Sequence, residues 1–118
     1  MVLGLRHSKD ASGCDIDLGS ISGLLDRIVD TWHPRGIWLF GSRARGGAKP
    51  ASDWDFLIVV PDDQAGVDDP LTAWRLQKES GVSSDLVLCR ATDFHEDRNT
   101  PNTLAFEAAH GGVLIYER

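Results

Sequence analysis

Cysteine is scarce in this chain: Cys14 and Cys89 are the two thiols in 118 residues, and no CxxC pair exists. That argues against a disulfide framework and a cysteine-built zinc site, and leaves reduced thiols as the plain reading. Cys89 lies in an apolar run and reads as a small buried hydrophobe. Basic residues are also in short supply, 12 against 18 acidic ones, for a formal charge of -6 and a pI near 5.0. A chain that grips a phosphate backbone normally shows a basic face, so direct nucleic-acid binding is not expected. No apolar run approaches the ~18 residues of a membrane span. The apolar start "MVLGL" is broken by Arg6, His7, Lys9 and Asp10, unlike a signal peptide. A cytoplasmic protein without membrane attachment is the expectation. The four histidines show no ligand spacing.

What is present suits one compact domain. At 42% hydrophobic the chain can bury a core. Residues 1–19 have little periodicity and are expected to form a flexible arm, with the domain over 20–118. Ser20 reads as a helix N-cap, followed by an apolar stripe of Ile21, Leu24, Leu25, Ile28, Val29 and Trp32, and "HPRG" ends that helix. Ile37 to Phe40 and Trp54 to Val60 read as strands. "PDDQAGVDDP" is an acidic, solvated loop, Leu71 to Glu79 a short helix, and Ser84 to Cys89 a third strand. Thr100-Pro101 starts a helix running to His110, and Val113 to Glu117 is a last strand. The order α-β-β-α-β-α-β predicts an α/β (α+β) fold, a small mixed sheet with helices packed on it.

One stretch does not fit a plain core. In "FGSRARGGAKPASDWDFLIVV" ten residues separate Ser42 from Asp53, and Asp55 follows in an apolar strand. Strand alternation puts Asp53, Asp55, Leu57 and Val59 on one face and Trp54, Phe56, Ile58 and Val60 on the other. Two neighbouring carboxylates repel unless a cation sits between them. Magnesium takes oxygen ligands and completes its shell with water and substrate phosphates. Gly41 lets a phosphate approach the backbone closely, Ser42 adds a hydroxyl, and Arg43 and Arg45 bring positive charge. Asp85 opens the third strand and supplies a third carboxylate if that strand lies beside the second. This is the layout for metal-assisted phosphoryl or nucleotidyl transfer.

Gly41-Ser42, ten residues, then Asp53-Trp54-Asp55 resembles the GS-x10-DxD signature of the DNA polymerase β-like nucleotidyltransferases. The chain length and the tail "TPNTLAFEAAHGGVLIYER" resemble the minimal nucleotidyltransferase (MNT) subfamily. The resemblance covers roughly Ile21 to the C-terminus. It implies magnesium-dependent transfer of a nucleoside monophosphate from a triphosphate such as ATP. Gly41 and Ser42 would contact the triphosphate, Asp53 and Asp55 would bind metal, and Asp85 would be the third acidic residue. Arg43 and Arg45 join the nucleotide-binding set from chemistry alone, with Arg43 favoured for its proximity to Ser42. Many MNT proteins are antitoxins that transfer AMP to a tyrosine of a HEPN ribonuclease toxin, which implies a protein partner here.

Two other functions stay open: an MNT-like antitoxin that neutralises by binding alone, and a small-molecule nucleotidyltransferase. The oligomeric state also stays open. The R-x4-H spacing of Arg90 and His95 matches a HEPN ribonuclease motif, but it follows a predicted strand rather than lying in a helical bundle.

Overall fold

The computed structural model describes residues 9–46 and 52–118. The first eight residues of the expected arm and positions 47–51 of the loop between Ser42 and Asp53 lie outside the described residues.

After a 3-10 turn at Gly19–Ile21 come α1 (Ser22–Trp32), β1 (Gly36–Phe40), α2 (Ser42–Arg45), β2 (Trp54–Val60), α3 (Pro70–Ser80), β3 (Ser84–Arg90), α4 (Ala91–Asp97), α5 (Leu104–Gly111) and β4 (Val113–Glu117). The strands form one four-stranded sheet in the order β3-β2-β1-β4. β1 is antiparallel to both its neighbours, and β2 and β3 are parallel. A parallel pair needs a crossover, which the acidic loop and α3 provide. The expected mixed sheet with helices is the fold observed.

Alternation along β2 decides where the helices go. Trp54, Phe56, Ile58 and Val60 join a core with Leu24, Leu25, Ile28 and Trp32 of α1 and Leu76 of α3. Leu57 and Val59 join a second core with Phe94 of α4 and Ala105 and Ala108 of α5. The sheet is therefore covered on both faces, and the aspartate face of β2 lies under α4 and α5. An Arg27–Glu79 ion pair at 2.7 Å ties α1 to α3.

The described part of the arm makes contacts of its own with the domain. The N–H of Ala11 donates to the carbonyl of Ala44 in α2 at 2.8 Å, Lys9 bridges Asp15, and Ile16 and Leu18 pack on the first core. Asp10 organises the turn: its Oδ1 accepts from the N–H groups of Ser12 and Cys14 and from the Ser12 hydroxyl. Local side-chain hydrogen bonding does what periodicity could not reveal.

Three helix starts also differ. Ser20 does not cap α1; it sits inside the 3-10 turn, whose first N–H, from Gly19, is taken by Asp17 at 2.9 Å. Asp69, expected only as loop charge, caps α3 by accepting from the N–H of Leu71 at 3.0 Å. α5 starts three residues beyond Pro101, with Thr103 accepting from Phe106 N–H at 3.1 Å, because Asn102 turns left-handed at φ 70°. α4 was not expected, since Ala91–Asp97 carries one buried apolar residue, Phe94.

The acidic loop is pinned rather than merely solvated. Arg90 donates to the carbonyls of Asp62 at 2.7 Å and Gln64 at 3.3 Å, and lies 3.8 Å from the Asp68 carboxylate. The Asp62 carboxylate accepts from the N–H and hydroxyl of Thr92, which holds its pKa below the usual carboxylate value. Arg90 of the R-x4-H pair is thereby accounted for by loop anchoring.

α1 ends at His33, which is exposed and left-handed at φ 47° while its N–H bonds the Val29 carbonyl at 2.9 Å. Glycine adopts that conformation without strain. His33→Gly is expected to stabilise the fold by about 0.5–1 kcal/mol, read as a higher urea midpoint at unchanged slope.

Candidate active site

β1 runs into Gly41, where the chain takes φ 76° and ψ -158° before the short helix α2. The carbonyl of Gly41 accepts from the N–H groups of Ala44 and Arg45, both at 3.1 Å. A Cβ at position 41 would strike Oδ2 of Asp55. Glycine was expected here so that phosphate could approach. The structure adds a nearer reason: the Asp55 carboxylate fills the space a side chain would need.

The register explains why. Asp55 pairs with Phe40 on one side and with Asp85 on the other. Paired residues on adjacent strands share a face, so Asp55 and Asp85 stand side by side, next to the Gly41-Ser42 turn. Asp53 precedes β2 by one residue and shares the Asp55 face. Its Oδ1 accepts from the Ser83 hydroxyl.

The three carboxylates act on one another. Partial burial pushes the Asp55 pKa above its ordinary value, and the charges of Asp85 and then Asp53 push it further, while Arg45 opposes them. The carboxylate therefore ionises at a cost that a bound cation would remove. This donor set fits magnesium: hard oxygen ligands on a rigid strand pair, with mutual repulsion left over. Among the described residues no group of three or more His, Cys, Asp or Glu side chains closes on a common metal position. Asp53, Asp55 and Asp85 are the residues that would hold the ion.

A cleft of about 880 Å³ opens over this face. Gly41, Ser42, Arg45, Asp53 and Asp55 line it, together with Ser52 and, from α5, Phe106, Glu107 and His110. Asp85 is exposed on the edge strand β3 and is not among the residues that line the cleft. Two arginines separate here. Arg45 lines the cleft, whereas Arg43 donates through Nε and Nη2 to the carbonyl of Ser52, at 3.0 and 2.7 Å, and stacks 4.1 Å over the Trp54 ring. Trp54 belongs to the opposite sheet face, and Arg43 is not among the residues that line the cleft. Successive helical residues point about 100° apart, so proximity in sequence to Ser42 does not by itself set the direction of Arg43.

The α5 wall was not foreseen. Phe106 and His110 stack at 4.1 Å between ring centroids, and His110 Nε2 lies 3.1 Å from the Arg98 carbonyl. α5 reaches the cleft because β4, which follows it, pairs with β1. Gly112 makes the junction: a Cβ there would lie 2.7 Å from the Leu39 carbonyl and 2.5 Å from that of Ala108.

Residues 25–118 match the family described as polymerase beta, nucleotidyltransferase. Fold and site thus define a nucleotidyltransferase domain with its Gly-Ser turn and strand carboxylates assembled. The chain belongs to the polymerase β nucleotidyltransferase family. None of the individually curated proteins matches it. No helix among the described residues is long and apolar enough to cross a membrane.

The thiols give a simple check of this packing. Burial, with Asp93 and Asp97 nearby, pushes the Cys89 pKa up to about 11, while Cys14 is exposed. At pH 8 an alkylating reagent should label Cys14 at least about 10-fold faster than Cys89, read by peptide mass spectrometry.

Proposed function

We propose that this chain is a minimal nucleotidyltransferase that moves AMP from ATP to a protein hydroxyl, a tyrosine of a HEPN ribonuclease toxin, and so acts as its antitoxin. The observation that carries this reading is the Asp55–Asp85 pair on adjacent parallel strands, beside Gly41-Ser42 and at the sheet edge. Magnesium, when bound by the aspartates, supplies charge neutralisation at the phosphates. Ser42 and Arg45 orient the triphosphate, and the Gly41 turn keeps Asp55 against the backbone. Asp85 takes the proton of the incoming hydroxyl as its oxygen bonds to the α-phosphorus and pyrophosphate leaves. The open position of Asp85 suits an acceptor presented by another protein. The net charge of -6 suits a basic partner.

The test is intact mass spectrometry of a HEPN-type partner, taken from the neighbouring gene, after incubation with this chain, ATP and magnesium. The partner should gain one or more AMP units with wild type and none with Asp85→Asn. Neutralisation without any AMP on the partner, even with wild type, would leave an antitoxin that works by binding alone. AMP on a small hydroxylated acceptor instead would make it a small-molecule transferase.

A further inference from the structure

The parallel ladder pairs Trp54 with Ser84 and Asp55 with Asp85. Continued one step back, it sets Asp53 beside Ser83. The backbone confirms the step, since the N–H of Trp54 donates to the Ser83 carbonyl at 3.0 Å. At the position where a second pair of carboxylates could have faced each other, β3 is preceded by a hydroxyl. That hydroxyl donates to Oδ1 of Asp53. The two aspartates of the DxD are thus held differently. Asp55 is wedged between Gly41 and Asp85, whereas Asp53 is exposed and precedes the strand. An exposed side chain at a strand end would otherwise sample several rotamers.

We infer that Ser83 is a positioning residue that fixes the Asp53 carboxylate by its Oδ1, leaving Oδ2 presented to the cation of the nucleotide site. The inference rests on the nucleotidyltransferase reading of that site. Outer hydrogen bonds of this kind orient metal-binding carboxylates, and their loss weakens metal affinity by about 10–100-fold. Ser83 touches neither nucleotide nor acceptor in this role, so its effect runs through Asp53 alone.

The experiment uses the full chain with Mn2+ as probe, titrated by electron paramagnetic resonance in the presence of a non-hydrolysable ATP analogue. Ser83→Ala should weaken Mn2+ binding about 10-fold. It should raise the magnesium concentration for half-maximal rate by a similar factor, with kcat at saturating magnesium within about 3-fold of wild type. Ser83→Thr, which keeps the hydroxyl, should restore wild-type affinity. Ser83→Val, its near-isostere without a donor, should not. Equal Mn2+ affinity in the Thr and Val variants would overturn the role of Ser83, even where Asp53→Asn abolishes binding. Unchanged binding in Asp53→Asn as well would remove Asp53 from the site and overturn both readings together.

Discussion

Asp55→Asn should abolish nucleotidyl transfer, lowering kcat by on the order of 10³-fold or more, while raising the melting temperature at neutral pH. The two effects have one cause. Partial burial disfavours the Asp55 carboxylate, and the charges of Asp85 beside it and Asp53 on the same face add to that. Its pKa is raised on folding, so the folded state prefers the protonated acid. The stability attached to this group is full below the ordinary carboxylate value and is lost as pH rises through the raised one. At pH 7 the ionised side chain is a net burden. Asparagine keeps the shape and drops the charge. Asp55 is only partly buried, so solvent screening limits the gain to about 0.5 kcal/mol, or roughly 2–3 °C. Differential scanning calorimetry across pH tests the sign: the variant should melt higher at pH 7 and level with wild type below about pH 4. A variant that melts lower at pH 7 would show that Asp55 is held by favourable contacts rather than strained by its neighbours.

That trade marks where sequence reading succeeded. A chain seldom places two carboxylates two residues apart at the head of a strand whose other members are buried, and β2 runs from Trp54 to Val60, the apolar run that Pro61 stops. β4 was legible for the same reason. Asp85 was legible only through the assumption that its strand lies beside β2, which the parallel register bears out. The α5 wall was not legible. Phe106, Glu107 and His110 follow the Gly-Ser turn by more than sixty residues, and nothing in their spacing reports that β4 returns beside β1. The arginines show a second limit. Arg43 and Arg45 have the same chemistry and lie two positions apart, yet one guanidinium covers Trp54 and the other lines the cleft. Helical phase on α2 decides between them, and a four-residue helix carries no periodic signal from which to read phase.

Gly41→Ala should be among the most damaging single-methyl changes in the domain, and about half of its cost should vanish when Asp55 is truncated. Two separate penalties meet at position 41. The backbone is at φ 76° and ψ -158°, a region essentially confined to glycine, where a Cβ costs about 1–3 kcal/mol. The same Cβ would strike the Asp55 carboxylate, which Phe40 and Asp85 flank on the neighbouring strands. Forcing atoms into filled space costs about 1–3 kcal/mol. The single change should therefore destabilise by about 2–6 kcal/mol in urea titrations and displace the Asp55 carboxylate. In an Asp55→Ala background the collision is gone and only the backbone strain remains. Gly41→Ala should then cost about 1–3 kcal/mol, giving a coupling of about 1–3 kcal/mol in the double-mutant cycle. Strict additivity of the two changes would mean that Asp55 does not occupy the space beside Gly41, and the glycine would have to be explained by its backbone angle alone.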